Sequence, residues 1–108
     1  MAEIAKLSEA TFKNEVLTSS LPVLVDFTAV WCGPCKLLEP LVQQLALEWS
    51  GKAKVYKLDV DENPQLAMSY QVMGVPTLML FKGGKPVERV TGYQPKDRLV
   101  KKFFPHLN

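Results

Sequence analysis

Hydrophobic residues occur along the chain in two patterns. Short continuous apolar runs predict β-strands, and apolar residues at helical spacing predict α-helices. Residues 22–29, "PVLVDFTA", form an almost unbroken β-favouring apolar run, which is typical of a central strand covered on both faces. A second run of this kind, "KVYKLDV", occupies residues 54–60. Between the two runs, apolar residues recur at helical spacing until Gly51, so we expect a long amphipathic helix that begins near Gly33. Its apolar positions are Leu38, Leu41, Val42, Leu45 and Trp49.

Shorter elements are expected before and after this strand–helix–strand unit, which itself predicts a right-handed parallel crossover. A turn at Gly83 and Gly84 should join two strands within residues 77–92. Strands that alternate with helices in this way favour an α/β domain. The other expected elements are a strand near residues 3–6, a helix from Ser8 to about Leu17, a short helix from Asn63 to about Tyr70, and a last helix over about residues 95–104.

Size and composition narrow the range of functions. With 108 residues, 47% of them hydrophobic, we expect a single domain spanning residues 1–108 that buries roughly two-thirds of its unfolded surface. The 13 basic and 11 acidic residues give a net charge of +2, which is too small for the basic stripe that nucleic-acid binding needs. The first residues lack the apolar core of a signal peptide, and no run reaches the length of a membrane span. We therefore expect a cytoplasmic protein without a nucleic-acid or membrane partner.

The two cysteines of the chain, Cys32 and Cys35, lie together in a Cys-Gly-Pro-Cys tetrapeptide. A disulfide between them closes too small a loop to stabilise the fold much, so a purely structural bond explains the pair poorly. A structural zinc site normally needs four ligands, and His106 is the only other soft candidate, so we expect no metal. Redox chemistry is the leading interpretation, and a chance pair of cysteines in a turn is the alternative.

The position of the tetrapeptide between a strand and a helix assigns different roles to its two thiols. Cys32 falls at or just before the start of the long helix, where free backbone N–H groups and the helix dipole favour a thiolate. We expect Cys32 to be the nucleophile. Cys35 lies one turn later and points toward the buried stripe of the helix, so we expect it to be the resolving thiol. Between them, Gly33 lets the backbone approach closely and Pro34 stiffens the first turn.

With these motifs the sequence resembles the thioredoxin family along essentially its whole length. The matching features, in order and spacing, are "VDF" at residues 25–27, "WCGPCK" at residues 31–36, Lys57, "GVPT" at residues 74–77 and Gly92. The resemblance implies the α/β thioredoxin fold, a three-layer sandwich whose central five-stranded mixed sheet is flanked by four helices. It also implies a protein-disulfide reductase that works as an electron carrier and needs a separate reductase for turnover.

The same resemblance sets the expected partners. The chain should bind no cofactor and should receive reducing equivalents from NADPH or from ferredoxin through a thioredoxin reductase. Its other partners should be disulfide-containing target proteins. We expect the chain to act as a monomer.

Asp26 interrupts the apolar strand and needs an explanation. A buried, unpaired carboxylate is costly, or it takes up a proton with a raised pKa. Lys57 could pair with it partially, and so tune it, if the two strands are neighbours; alternatively Lys57 is simply solvated. The functional interpretation is that Asp26 takes the proton from Cys35 when that thiol attacks the mixed disulfide. The resemblance implies the same role.

A substrate-binding groove is expected beside the cysteines. Trp31 precedes the nucleophile on a loop, and an exposed aromatic next to a catalytic group favours a substrate-facing patch over chance exposure. The resemblance implies a cis Val75–Pro76 bond near the cysteines, with the backbone of Val75 free to pair with an extended substrate segment. The expected groove consists of Trp31, Gly74, Val75, Pro76 and Gly92.

Two positions depart from the familiar bacterial pattern of the family. Thr28 stands where that pattern has tryptophan, and Val30 replaces a residue that is commonly charged or polar there. Both positions lie near the expected rim of the site. We expect Thr28 and Val30 to leave the thiol–disulfide chemistry intact. Both residues should instead affect which reductase and which target proteins dock well.

Two other functions use the same residues. A disulfide oxidase or isomerase would work in an oxidising compartment, which the Gly-Pro dipeptide and the absence of a signal segment disfavour. A binding module would use the apolar rim and carry its cysteines incidentally. The cysteine pair beside Asp26 disfavours that reading.

Overall fold

Strands and helices alternate along residues 4–107, which are the residues described by this computed structural model. The strands are β1 (Ala5–Lys6), β2 (Val23–Thr28), β3 (Lys54–Asp59), β4 (Thr77–Lys82) and β5 (Lys85–Thr91). The α-helices are α1 (Glu9–Phe12), α2 (Gly33–Glu48), α3 (Pro64–Ser69) and α4 (Lys96–Phe103). A π-helical segment, Lys13–Leu17, continues α1, and a 3-10 turn, Phe104–His106, continues α4. None of the helices between residues 4 and 107 combines the length and the hydropathy that a bilayer span requires.

The strands form one mixed sheet in the order β1-β3-β2-β4-β5. β3 pairs in parallel with β1 and β2, whereas β4 pairs antiparallel with β2 and β5. The predicted strand–helix–strand unit is confirmed, because α2 carries the chain from β2 to its parallel neighbour β3. The register places Asp26 at the centre of the sheet, opposite Lys57 on one side and Leu78 on the other.

Two apolar clusters cover the two faces of the sheet. On one face, Leu24 belongs to a buried cluster with residues of α2 and α4, among them Leu38, Val42, Leu45, Leu99 and Phe103. On the other face, Phe27 packs with residues of α1, the π-helical segment and β4, among them Phe12, Val16, Met79 and Phe81. Partly buried residues of α3 and its C-terminal end, including Leu66 and Tyr70, cover this second cluster. The predicted three-layer sandwich with a five-stranded mixed sheet and four helices is therefore confirmed.

The N-terminal elements differ in detail from the sequence prediction. The strand expected near residues 3–6 covers Ala5–Lys6, and residue 3 lies outside the described residues. The helix expected from Ser8 to Leu17 changes type after its first four residues. There Thr18 N–H donates to the Lys13 carbonyl, five residues back, at 3.1 Å, which is the π-helical pattern.

The β4–β5 turn at Gly83 and Gly84 is confirmed, and the two glycines have different surroundings. Both have positive φ, +59° at Gly83 and +80° at Gly84, a region that favours glycine. A Cβ atom at Gly84 would lie 2.7 Å from the Leu17 carbonyl oxygen, whereas at Gly83 it would meet nothing within 4 Å. The turn therefore packs directly against the end of the π-helical segment through Gly84.

Both edges of the sheet are short or irregular. β1 contributes two residues, both exposed. β5 carries Pro86, which pairs with Phe81 at a register shift between Leu80 and Phe81. Because proline has no N–H group, it interrupts any regular ladder along that edge.

Candidate active site

Cys32 and Cys35 form a disulfide at the start of α2, with their Cα atoms 5.3 Å apart. Cys32 is the N-cap residue of the helix, and the Cys35 N–H donates to Cys32 Sγ at 3.2 Å. When the bond is reduced, this donor and the positive end of the helix dipole stabilise negative charge on Cys32 Sγ.

Gly33 and Pro34 are the first two residues of α2, and both are exposed. Pro34 is well tolerated there, because backbone N–H groups in the first turn have no helical acceptor. A Cβ atom at Gly33 would meet nothing within 4 Å, so packing inside the chain does not demand glycine at this position. The absence of a side chain at Gly33 instead leaves the surface beside Cys32 unobstructed.

Both cysteines are almost covered, with 3% of Cys32 and 2% of Cys35 exposed. They form a small cluster with Ala29, against which Val60 and Val75 pack. Cys32 Sγ lies 3.7 Å from the Val75 carbonyl oxygen. A target disulfide must therefore approach Cys32 alongside the loop that carries Val75.

That loop is held in place on both sides of a cis Val75–Pro76 peptide bond, which the resemblance implies. Thr77 Oγ1 donates to the Gly74 carbonyl at 2.7 Å, and Gly92 N–H donates to the Pro76 carbonyl at 2.8 Å. Gly92 has a φ of +89°, which favours glycine at this position. The structure thus brings the predicted groove residues of this loop and of the β5 end together beside the disulfide.

Trp31 is 68% exposed, and its ring is fixed by a polar contact that the sequence did not predict. Its indole Nε1–H donates to Asp61 Oδ2 at 2.8 Å. Asp61 belongs to the loop after β3, where Asp59 Oδ1 accepts from the N–H groups of Asp61 and Glu62. A side chain in one loop therefore orients the aromatic ring in another.

Two further exposed apolar side chains, Met73 and Tyr93, also escaped the sequence prediction. Met73 is 94% exposed and immediately precedes Gly74, and the partly exposed Tyr93 immediately follows Gly92. Their adjacency to two motif glycines is the signal that could have found them. They add exposed apolar surface next to two of the predicted groove residues, Gly74 and Gly92.

Asp26 points toward α2, since it shares a face of β2 with Leu24, which packs against that helix. Only 1% of Asp26 is exposed, and within residues 4–107 its buried Oδ1 has no hydrogen-bond partner. Burial, assisted by the negative charge of Glu39, raises the pKa of Asp26 to about 7, against an opposing effect of the Lys57 ammonium. Asp26 can therefore exchange a proton near neutral pH.

Lys57 lies beside Asp26 in the register of β2 and β3, but its ion pair is formed with a different residue. Lys57 Nζ lies 3.4 Å from Glu39 Oε2 on α2. Lys57 acts on Asp26 only through space. Sequence reasoning missed Glu39, although its position four residues after Cys35 puts it on the same face of the helix.

A cavity of about 280 Å³ opens beside Cys35. Glu39 and Lys57 line it, so the ion pair and the inner thiol border the same space. Thr28 and Val30, the two departures from the family pattern, form part of its wall. Differences at these positions therefore change the surroundings of Cys35 as well as the outer rim.

Comparison with known proteins finds similarity along the whole chain. The family model described as thioredoxin matches residues 3–104. Thioredoxin 1 of Nostoc sp. is 49% identical over 107 residues, which cover 99% of this chain and 100% of that protein. The thioredoxin of Staphylococcus aureus strain Mu50 is 49% identical over 104 residues, which cover 96% of this chain and 98% of that protein.

Proposed function

The chain belongs to the thioredoxin family, and from this premise we propose which of its residues carry out each step of the reaction. It is a thiol-disulfide oxidoreductase that reduces disulfides in target proteins by dithiol–disulfide exchange and is re-reduced by a thioredoxin reductase. It is thus an electron carrier in cellular redox homeostasis. The observation that carries the assignment of roles is the Cys32–Cys35 pair at the start of α2, with Cys32 as the N-cap.

In the first step, the Cys32 thiolate attacks one sulfur of the target disulfide. The target S–S bond breaks, a mixed disulfide between Cys32 and the target forms, and the released target sulfur takes up a proton. The Cys35 N–H that points at Cys32 Sγ supports this choice of nucleophile, because it stabilises the thiolate.

In the second step, Cys35 attacks Cys32 Sγ and the mixed disulfide breaks. Asp26 takes the proton of Cys35 as its sulfur becomes nucleophilic, and the second target thiol leaves. The target has then gained two electrons and the Cys32–Cys35 disulfide has formed. A pKa near 7 and the orientation of Asp26 toward α2 support its role as proton acceptor, and Lys57 tunes it electrostatically.

Targets dock as extended segments across the apolar rim. The backbone of Val75 pairs with the segment as an added strand, and the exposed ring of Trp31 provides apolar contact. Gly74, Pro76 and Gly92 supply flat backbone around the sulfur of Cys32. The hydrogen bonds that hold the loop support this arrangement, because a preorganised surface loses less entropy on binding.

The partner reductase draws its electrons from NADPH or from reduced ferredoxin. Incubating the oxidised protein with each electron donor and its matching reductase, and counting the thiols that appear, separates the two sources. We also propose that the chain acts as a monomeric single domain in the cytoplasm, where the thiol pool is reducing.

Reduction of insulin disulfides by the pre-reduced protein tests the assignment of the two cysteines. The parent protein should turn over with a reductase, Cys32→Ser should be inactive, and Cys35→Ser should accumulate a mixed disulfide detectable by mass spectrometry. Both variants change one sulfur to oxygen, so each controls for the other. Full activity of Cys32→Ser would overturn the mechanism.

A further inference from the structure

The Glu39–Lys57 ion pair joins the two elements that border Asp26. Glu39 lies on α2, which Asp26 faces, and Lys57 lies on β3 directly opposite Asp26. Both side chains are only partly exposed, at 36% for Glu39 and 24% for Lys57. The ammonium of Lys57 therefore lies near the carboxyl groups of both Asp26 and Glu39. It forms its ion pair with Glu39, which is farther from the centre of the sheet.

Other charged groups line the same cavity but are engaged elsewhere or belong to its outer wall. Lys6 of β1 forms an ion pair with Glu62 at 3.4 Å. Asp59 Oδ1 accepts from the backbone N–H groups of the following loop. Lys36 lies one residue after Cys35 and is exposed. Among the described residues, Lys57 is thus the cation that β-sheet register sets beside Asp26.

We propose that Glu39 is a positioning residue for the proton exchange between Asp26 and Cys35. Its carboxylate holds the Lys57 ammonium on the α2 side of the cavity and so keeps Asp26 without an ion-pair partner. This inference rests on the proposed role of Asp26 as proton acceptor.

The charges explain why this arrangement suits a base. When Asp26 is neutral, Glu39 and Lys57 balance each other. When Asp26 ionises, two carboxylates share one ammonium, so ionisation is opposed and the pKa of Asp26 stays high. If Glu39 were neutral, the flexible lysine side chain could turn its charge toward Asp26 and make it a weaker base.

The carboxyl ¹³C shift of Asp26, followed by NMR against pH in the oxidised protein, tests the proposal without interference from free thiols. In Glu39→Gln the pKa of Asp26 should fall by about 0.5 to 1 pH unit, since a negative neighbour is lost and Lys57 is released. Glu48→Gln is the matched control, because Glu48 lies on the same helix in an ion pair with Lys96. It should leave the Asp26 titration unchanged.

Repeating the substitution in a Lys57→Met background isolates positioning from direct repulsion. If Glu39 acts by holding Lys57, the fall caused by Glu39→Gln should shrink to half or less when Lys57 is absent. An unchanged Asp26 titration in Glu39→Gln would overturn the proposal. An equal fall in both backgrounds would also overturn it, because Glu39 would then act by repulsion alone.

The pH dependence of insulin reduction provides the kinetic readout. In Glu39→Gln the acidic limb of the rate profile should move to lower pH by the same interval as the Asp26 titration. If Asp26→Asn keeps the parent profile, the proposed proton transfer is wrong, whatever Glu39 does. An unchanged NMR titration in Glu39→Gln instead contradicts the positioning role alone, so the two failures are distinguishable.

Discussion

Asp26 occupies a position where an apolar side chain would stabilise the fold. It shares the α2-facing side of β2 with Leu24, and its Oδ1 has no hydrogen-bond partner among the described residues. Its carboxyl binds a proton more tightly in the folded chain than in the unfolded one, since burial raises its pKa from 3.8 to about 7. Such a group destabilises the fold wherever the unfolded chain has already lost that proton.

Asp26→Asn should therefore stabilise the oxidised protein in a pH-dependent way. Below about pH 3.8 the carboxyl is neutral in both states and contributes nothing, and the penalty grows from there to about pH 7. Above pH 7 the penalty is constant at roughly 4 kcal/mol, from 1.36 kcal/mol for each pH unit of difference. Urea denaturation at pH 3.5 and pH 8 measures both limits.

Equal stabilisation of Asp26→Asn at the two pH values would contradict a raised pKa. The same variant should reduce insulin more slowly than the parent at neutral pH, because Cys35 then loses the proton acceptor that we propose for it. Stability and rate should thus change in opposite directions. If the Asp26 carboxylate were purely structural, Asp26→Asn would leave the rate of insulin reduction unchanged.

Asp26 and Glu39 show which single residues the sequence reveals. A carboxylate inside an apolar run is conspicuous, so Asp26 could be identified without a structure. Glu39 resembles any charged residue on an amphipathic helix. Its contact with Lys57 depends on how α2 crosses β3, and sequence spacing does not report that distance.

The β4–β5 turn shows how one element constrains another. Gly84 approaches the Leu17 carbonyl so closely that the hairpin and the π-helical segment share a contact without a side chain. Gly83, its neighbour in the same turn, faces open space. The two glycines are equivalent in sequence and differ in what surrounds them.

Gly84→Ala should lower the free energy of unfolding by about 2 kcal/mol or more, while Gly83→Ala should cost about 1 kcal/mol. Both substitutions place a Cβ at positive φ, but only at position 84 does that atom collide with backbone. Guanidinium denaturation of the two variants beside the parent gives the comparison. Equal losses would show that the contact with Leu17 is unimportant.

At the scale of elements, hydrophobic periodicity predicted where the strands and helices lie, but not the type of helix or the contacts between loops. The ends of β2, β3 and α2 lie within a residue or two of the predicted ones, because burial patterns extend along each element. The π-helical turn at Lys13–Leu17 leaves no such pattern. Neither does the bond from Trp31 to Asp61, since side chains that join two loops have no fixed spacing in sequence.

The whole molecule is organised around a sheet that both apolar clusters share. β2 sends Leu24 into one cluster and Phe27 into the other, and β4 does the same with Leu78 and Phe81. If either layer of helices unfolded, one apolar face of the central strands would be exposed to water. The two clusters therefore depend on each other.

Unfolding should accordingly be a single cooperative transition. Trp49 is buried in the cluster between the sheet, α2 and α4, so its fluorescence in a Trp31→Phe variant reports on that layer. Far-UV circular dichroism reports on all elements at once. The two urea transitions should coincide, and a separate Trp49 transition would show that the layers unfold independently.

Strand order is the part of the fold that hydrophobic pattern alone did not supply. The strand–helix–strand order predicts that β2 and β3 are parallel, but nothing in the apolar runs themselves places β4 beside β2. The family resemblance implied a five-stranded mixed sheet but no strand order, so this neighbour is known from the structure, where Asp26 pairs with Leu78. Long-range pairing depends on the competition among all strands, which no local window contains.

The irregular edges of the sheet have a consequence for a protein that reduces disulfides in other proteins. Exposed strands of a partly unfolded target protein pair readily with a long, regular sheet edge, and such pairing leads to aggregation. Here one border is two residues long, and the other is broken at Pro86 by a register shift. Neither border therefore offers a long, regular edge, so exposed strands of target proteins have little opportunity to pair there and aggregate with the protein.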